Sequence, residues 1–238
     1  MSAIAGQAVP TILIAGASRG LGQAMAAEFL KKGWRVIGTV RGGTTRTPLH
    51  DLADSSEGRL EIEILDIDEP DQIAALHGRL AHRRLDILFV NAGTTTDDQL
   101  ALFSDVANDE FLRVMITNAL SPMRVIDAFQ DLVSPTGMIG AMSSGQGSLT
   151  NNDRGLREVY RASKAALNML MRSFAARPLQ ERRAFALMAP GWVRTDLGGP
   201  EGRLGIDESV PSLVDVLVAN RSVPGIRYLD YLGHTVPW

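Results

Sequence analysis

Short apolar runs alternate along this chain with stretches whose apolar residues recur at helical spacing. The first run, Thr11 to Ala15, ends in glycines, and the segment after it carries apolar side chains at Leu21, Met25, Phe29 and Leu30. This order is typical of a buried strand, a tight turn and a helix.

The same alternation continues to the end of the sequence. We predict further strands at 35–40, 60–65, 85–90, 137–143 and 226–232, and helices that begin at Pro70, span 108–133, run from Tyr160 to Pro178, and begin near Asp207. Alternating strands and helices require a parallel sheet covered by helices on both faces. The predicted fold is therefore α/β: one doubly wound parallel sheet of about seven strands, in a single domain over residues 1–238, with residues 1–10 as an N-terminal extension.

The turn after the first strand has the spacing Gly16-x3-Gly20-x-Gly22. Glycines let the backbone turn sharply and bring its N–H groups against a pyrophosphate, and the N-terminus of the next helix favours the anion. The spacing is not the common Gly-x-Gly-x-x-Gly fingerprint, and the absence of a following Lys-Ser or Lys-Thr disfavours a nucleotide triphosphatase. A glycine-rich turn without a ligand is the alternative.

The end of the second predicted strand bears on the choice of cofactor. In a dinucleotide fold an acidic residue there holds the 2′-OH of NAD, whereas an arginine accommodates the 2′-phosphate of NADP. No Asp or Glu occurs between Glu28 and Asp51, while Arg41 stands at the strand end and Arg19 in the glycine turn. Each arginine could instead be a solvated surface charge. Together they favour NADP(H), with NAD(H) as the alternative.

Residues at the other strand ends could face the same ligand, because ligands of open parallel sheets bind at the carboxyl ends of the strands. Asp66 follows the third strand and could accept the adenine amino group or help to cap the next helix. Asn91-Ala92-Gly93 follows the fourth strand, and its small residues allow close backbone approach. Asn118 lies within a predicted helix, where a polar residue can also cap or kink. A serine turn, Ser143 to Ser148, follows the fifth strand.

Tyr160 and Lys164 form the strongest chemical signal. Residues four apart share a helix face, so both side chains can address one ligand. The chain holds only three tyrosines and three lysines, which makes this spacing improbable by chance. A phenol has a pKa of about 10, and a neighbouring ammonium favours its ionised form. With a serine hydroxyl to polarise a carbonyl oxygen, the pair suits hydride transfer to a ketone.

In their order along the chain, these motifs resemble the short-chain dehydrogenase/reductase family over nearly the whole sequence. The wording around Tyr160 and the segment Pro190-Gly191-Trp192-Val193-x-Thr195 is most similar to the C-factor-like and sniffer-like carbonyl reductases. The resemblance implies a Rossmann-like fold and a bound nicotinamide dinucleotide. The cofactor-binding residues that it implies, together with the turn residues above, are Gly16, Ser18, Arg19, Gly20, Leu21, Gly22, Arg41, Asp66, Ile67, Asn91, Ala92, Gly93, Tyr160, Lys164, Pro190, Gly191, Val193 and Thr195.

The resemblance also implies catalytic roles for four residues. Tyr160 would be the general acid in reduction, and Ser144 would stabilise the substrate oxygen. Lys164 would bind the nicotinamide ribose and lower the pKa of the tyrosine, and Asn118 would hold a water in a proton relay. The gap from Ser144 to Tyr160 is longer than usual in the family because of the charged insert 153–158. This departure leaves Ser143 and Ser148 as alternatives to Ser144.

Two segments near the C-terminus have open interpretations. Residues 195–206 are glycine-rich, which suggests a flexible substrate flap or a plain connecting loop. Tyr228 and Tyr231 are expected to be packing residues. The apolar tail 236–238 would pack on its own domain or on a neighbouring subunit.

Composition excludes several function classes. A net charge of -3 gives no basic field for nucleic acid or an anionic membrane, and no run of eighteen apolar residues occurs. There is no cysteine, and four scattered histidines form no His-Glu-x-x-His pair, so no metal site is expected. The first residues lack the pattern of a signal peptide, which favours a cytoplasmic protein.

These observations predict an NADPH-dependent reductase of a ketone or aldehyde. An NAD-dependent alcohol dehydrogenase working in the oxidative direction is one alternative, and a cofactor-binding regulatory protein with little turnover is another. The expected partner is a small carbonyl or alcohol substrate, without nucleic acid or membrane. We also expect a homo-oligomer, either a dimer or a tetramer.

Overall fold

Seven parallel strands form one sheet in the computed structural model, which describes residues 9–180 and 182–238. The strands are β1 (Thr11–Ala15), β2 (Arg35–Val40), β3 (Leu60–Ile64), β4 (Leu85–Val90), β5 (Val133–Met142), β6 (Ala184–Ala189) and β7 (Gly225–Asp230). Their order is β3-β2-β1-β4-β5-β6-β7, so the chain reverses its winding direction between β1 and β4. A crevice forms at such a switch point, at the carboxyl ends of the strands.

Helices cover both faces of the sheet. They are α1 (Gly20–Lys31), α2 (Pro48–Asp54), α3 (Pro70–Leu80), α4 (Asn108–Met115), α5 (Ser121–Phe129), α6 (Glu158–Ala175) and α7 (Ile206–Asn220). The doubly wound, Rossmann-like α/β fold in a single domain is therefore confirmed. Of the N-terminal extension predicted for residues 1–10, residues 1–8 lie outside the described part.

The hydrophobic core has two halves, one on each face of the sheet. Consecutive side chains of a strand point to opposite faces, so Leu13 packs in one half while Ile12 and Ile14 pack in the other. All five residues of β1 are buried. Burial on both faces explains why the central strands are continuous apolar runs rather than alternating ones.

Two elements were not predicted from the sequence. β6 is apolar throughout, with the sequence AFALMA, and a short apolar run does not distinguish a strand from a buried helix. The helix α2 has only seven residues, of which only Leu49 is buried. Its apolar pattern is therefore too short to recognise.

The helix predicted for 108–133 was wrong in two respects. A π-helical segment, Ile116–Leu120, interrupts it between α4 and α5. The helix also ends at Phe129, because Val133 already pairs with Leu85 at the beginning of β5. The predicted fifth strand therefore began four residues too late.

The C-terminal tail packs on its own domain. Val236 is buried in the core, and the ring of Trp238 lies 5.4 Å from that of Tyr228. The main-chain oxygen of Trp238 accepts a hydrogen bond of 2.8 Å from the hydroxyl of Thr150. Tyr228 is fully buried and donates its hydroxyl to the main-chain carbonyl of Ser144. The tail and β7 therefore form hydrogen bonds to the serine turn and to the residues just after it.

We predict that Tyr228→Phe lowers the free energy of unfolding by about 1–2 kcal/mol, because it leaves the Ser144 carbonyl without this donor. The measurement is denaturant unfolding. Tyr231→Phe is the matched control, since the Tyr231 hydroxyl has no hydrogen-bond partner among the described residues. Equal stability of the two variants would show that the buried hydroxyl contributes nothing.

Candidate active site

A crevice of about 1230 Å³ runs along the carboxyl ends of the strands. It is large enough for a dinucleotide together with a small substrate. All the predicted site residues line it except Gly22 and Asn118, which lie just beneath its surface. Among the described residues, no group of three or more acidic or histidine side chains could hold a metal ion.

The glycine turn is packed too closely for larger residues. Gly16 has a φ of +88°, and a Cβ atom there would lie 2.7 Å from the Cβ of Ala92. A Cβ atom on Gly22 would collide with the carbonyl of Gly16. That carbonyl accepts a hydrogen bond of 2.7 Å from the amide of Asn91. Glycine is therefore required here because β1, β4 and α1 meet without space for a side chain.

The N-terminus of α1 is open toward the crevice. Its first turn contains no acidic residue, and its N-cap residue, Arg19, forms no side-chain cap. The first N–H groups of a helix need partners from outside it and favour an anion. This end of the crevice therefore fits the pyrophosphate of a dinucleotide.

The two predicted arginines differ in their surroundings. Arg19 forms an ion pair of 3.3 Å with Asp196, and both side chains are mostly exposed. Arg41 is exposed at the end of β2 and pairs with no acidic side chain in the described part of the chain. Arg41 is thus the one better placed to meet an anionic group of a ligand.

Asp66 forms a local turn at the end of β3. Its carboxylate accepts a hydrogen bond of 3.1 Å from the N–H of Asp68. It does not cap the next helix, whose N-cap residue is Glu69. Ile67 is buried beside it. Both residues line the crevice, as a contact with adenine would require.

Asn118 is fully buried in the π-helical segment, and both polar atoms of its side chain bind protein partners. Its amide nitrogen donates to the Thr94 carbonyl at 2.8 Å and to the Ser163 hydroxyl at 2.9 Å. Its amide oxygen accepts from the N–H of Thr94 at 2.7 Å. A Cβ atom on Gly93 would lie 3.2 Å from this oxygen. The side chain therefore holds the loop after β4 rather than pointing at a ligand.

The three candidate serines have distinct partners. Ser143 donates to the side chain of Asn168 at 2.6 Å, and Ser148 is buried against the tail. Ser144 lines the crevice, and its hydroxyl is close enough to Tyr160 to lower the pKa of that phenol. The geometry thus favours Ser144 over the other two.

Tyr160 and Lys164 lie on the crevice-facing side of α6, and both are almost fully buried. The ammonium of Lys164 donates to the Met142 carbonyl at 2.9 Å and lies 5.8 Å from the centre of the Tyr160 ring. Burial lowers the pKa of Lys164 to about 8. Burial also raises the pKa of Tyr160, against the opposing effects of Arg157 and Ser144.

Arg157 is a site residue that the sequence reasoning missed. Its guanidinium carbon lies 4.7 Å from the centre of the Tyr160 ring, closer than the ammonium of Lys164. Of the two cations, Arg157 is the one whose charge lowers the pKa of Tyr160 in this structure. The only sequence signal was the charged insert 153–158, which contains it.

The segment after β6 lines the opposite wall. The Pro190 carbonyl accepts a buried hydrogen bond of 2.7 Å from Ser209, and Gly191 has a φ of +83°. Val193 pairs with Leu204, and the hydroxyl of Thr195 accepts from the N–H of Gly198 at 3.0 Å. Residues 195–206 are therefore folded back onto the residues that precede them, and the flexible flap stays a prediction.

Comparisons with known proteins agree with this geometry. The C-signal protein of Myxococcus xanthus is 35% identical over 156 residues, which are 65% of this chain and 93% of that protein. A Burkholderia multivorans protein with bound NADP is 61% identical, with a TM-score of 0.95 over 97% of this chain and 100% of that one. The carbonyl reductase Sniffer of D. melanogaster is 27% identical, with a TM-score of 0.83 over 97% of this chain and 100% of that one.

These similarities confirm the C-factor-like and sniffer-like branch that the sequence suggested. The family model for the short chain dehydrogenases matches residues 10–203, from the beginning of β1 through most of the crevice wall. The chain therefore belongs to the short-chain dehydrogenase/reductase family.

Proposed function

We propose that this chain reduces a ketone or aldehyde with NADPH and that Tyr160 is the proton donor. NAD(P)-dependent oxidoreduction is the reaction class of the family. The observation that carries the finer proposal is the meeting of Ser144, Tyr160 and Lys164 in the crevice that the glycine turn also lines.

The residues present fit NADPH. The uncapped N-terminus of α1 and the close-packed glycines suit the pyrophosphate, and Arg41 suits the 2′-phosphate. NADP is bound in the similar Burkholderia multivorans structure. We place Lys164 at the nicotinamide ribose, and Pro190, Gly191, Val193 and Thr195 along the nicotinamide end. When bound, NADPH supplies the hydride.

The protein residues contribute polarisation and a proton. Ser144 and Tyr160 donate hydrogen bonds to the carbonyl oxygen of the substrate and stabilise the negative charge that develops there. Tyr160 then transfers its proton to that oxygen as the carbonyl carbon is reduced to an alcohol. Arg157 and Ser144 both favour the phenolate that remains, because each lowers the pKa of Tyr160.

We assign the contribution of Asn118 to its main chain. Its amide is fully engaged with Thr94 and Ser163, so the side chain has no free N–H for a water. In an α-helix its carbonyl would accept from residue 122, but Pro122 has no N–H. That carbonyl therefore lacks its α-helical donor, and we assign to it the water of the proton relay. π-Helical segments of this kind are frequent at functional sites.

A regulatory role is the second candidate, because the C-signal protein is among the relatives. The placement of Ser144, Tyr160 and Lys164 around one crevice favours turnover. The oxidative, NAD-dependent alternative is disfavoured by Arg41.

Among residues 9–180 and 182–238, none of the helices has the length and apolar character of a membrane span. The cytoplasmic location stays a prediction.

We predict that Tyr160→Phe lowers kcat for carbonyl reduction at least about 100-fold, because it removes the proton donor. NADPH affinity should stay within about threefold of the wild-type value, since the ring is retained. The measurements are NADPH oxidation and fluorescence titration. Tyr231→Phe, which alters another crevice tyrosine, should keep near-normal turnover. Near-normal turnover of Tyr160→Phe would contradict the assigned role.

We predict that Arg41→Gln raises KM for NADPH at least about tenfold but changes KM for NADH little, because only NADPH carries the 2′-phosphate. Initial rates with both cofactors give the two constants. Arg46→Gln is the control: Arg46 is exposed in the same loop, pairs with Asp51 and Asp54, and lies outside the crevice. An unchanged ratio of the two KM values in Arg41→Gln would refute the arginine argument.

The homo-oligomer also stays a proposal, supported by exposed apolar side chains on two helices that pack together. Leu112 on α4 and Met169 on α6 are 51% and 64% exposed. We predict that Met169→Glu lowers the oligomeric state measured by light scattering, because it places a charge on this apolar surface. Val223→Glu is the control, because Val223 is an exposed apolar residue that lies on neither α4 nor α6. An unchanged mass of Met169→Glu would place the interface elsewhere.

A further inference from the structure

Arg157 is held over Tyr160 by an unusual backbone. Gly155, Leu156 and Arg157 have consecutive positive φ angles of 61°, 60° and 52°. Left-handed backbone is unfavourable for the two residues that are not glycine. Arg161 fixes the segment by donating to the Leu156 carbonyl at 2.8 Å. Strained residues of this kind cluster at functional sites, where their surroundings hold them in place.

The guanidinium of Arg157 lies over the Tyr160 ring but forms no hydrogen bond or ion pair with the described residues. Its Nε and Nη2 atoms are buried without a hydrogen-bond acceptor anywhere in residues 9–180 and 182–238. Burial lowers the pKa of Arg157, which is the sign of a charge that lacks compensation. Turning this edge toward an acceptor in the crevice requires the side chain to leave its contact with the Tyr160 ring, but it breaks no hydrogen bond or ion pair.

The same two nitrogens are suited to a carboxylate. Nε and Nη2 share one edge of the planar guanidinium, and this edge matches the two oxygens of a carboxylate. Arg79 shows this edge bound to a carboxylate elsewhere in the chain, since its Nε and Nη2 both donate to one oxygen, Oε2, of Glu63, at 3.1 and 2.9 Å.

The other crevice cations are already engaged, except for one. Arg19, Arg113 and Arg194 each have an acidic partner within 4 Å, and Lys164 donates to a main-chain carbonyl. Among the described cations of the crevice, Arg41 and Arg157 alone have neither an ion pair nor a side-chain hydrogen bond. Arg41 lies at the end of β2, where the adenosine phosphate is expected. Arg157 lies beside the proposed proton donor, where the substrate is expected.

We propose that Arg157 binds a carboxylate of the carbonyl substrate, so that the preferred substrates are oxo acids or formyl acids rather than neutral carbonyl compounds. This inference rests on the proposed reductase function. It makes Arg157 a specificity-determining residue, with the carboxylate held on one side of Tyr160 and the reacting carbonyl directed at the phenol.

The kinetic test compares acids with their neutral methyl esters: pyruvate, acetoacetate and 4-formylbenzoate. The wild-type protein should have a higher kcat/KM for the acid in at least one pair. In Arg157→Gln the acid-to-ester ratio of kcat/KM for that pair should fall at least about tenfold, because a charge-assisted hydrogen bond is lost. Any effect of Arg157 that acts only through the pKa of Tyr160 alters both substrates equally and cancels in this ratio.

Two further variants sharpen the comparison. Arg157→Lys should give an intermediate ratio, since it keeps the charge but loses the planar edge. Arg154→Gln is the control, because Arg154 is an exposed cation of the same insert that does not line the crevice. Its acid-to-ester ratio should equal that of the wild-type protein. A wild-type protein that prefers the ester in all three pairs, or an unchanged ratio in Arg157→Gln, overturns the proposal.

A binding measurement separates this proposal from the proposed function. Calorimetric titration of the three acids into the complex with NADP⁺ involves no turnover. Affinity for the best acid should fall at least about tenfold in Arg157→Gln and stay unchanged in Arg154→Gln. If no carbonyl compound is reduced but this loss is seen, the reductase function fails and the anion site stands. If esters are reduced and acid affinity is equal in all variants, the anion site fails and the reductase function stands.

Discussion

The contact between the ends of β1 and β4 is the constraint on which the crevice depends. Gly16 and Ala92 approach so closely that a Cβ atom on Gly16 has no space, and the Gly16 carbonyl leaves none for a Cβ atom on Gly22. This contact brings the N-terminus of α1 and the loop after β4 together in the crevice, and Gly93 of that loop lies close to the ammonium of Lys164. Phosphate binding uses the N-terminus of α1, which this contact positions, whereas Arg41 follows β2, Ser144 follows β5 and Tyr160 lies on α6.

Much of this arrangement could be predicted from the sequence, because it depends on local patterns. Thr11–Ala15, Arg35–Val40 and Leu85–Val90 were predicted with the boundaries that the structure shows, since strands buried on both faces are bounded by turn residues. The spacing of Tyr160 and Lys164 on one helix face is likewise a local property. The strand ends that meet at the crevice were predicted from the rule that ligands of open parallel sheets bind at the carboxyl ends of the strands.

The remaining features depend on tertiary contacts. The π-helical segment around Asn118 follows from a proline at 122 together with the Thr94 and Ser163 partners, which are distant in sequence. The position of Arg157 depends on three left-handed residues in an insert that resembles a plain charged loop. The balance of effects on the Tyr160 pKa was also inaccessible, because burial is a property of the folded chain.

The ion pair between Arg19 and Asp196 makes one contact across the crevice sensitive to salt. It joins the glycine turn to the segment after Thr195, so it links two walls of the crevice near the pyrophosphate site. Both side chains are mostly exposed, and such pairs contribute little free energy and are screened by salt. The two walls are therefore joined by a weak ion pair, and a rise in ionic strength weakens this link across the crevice.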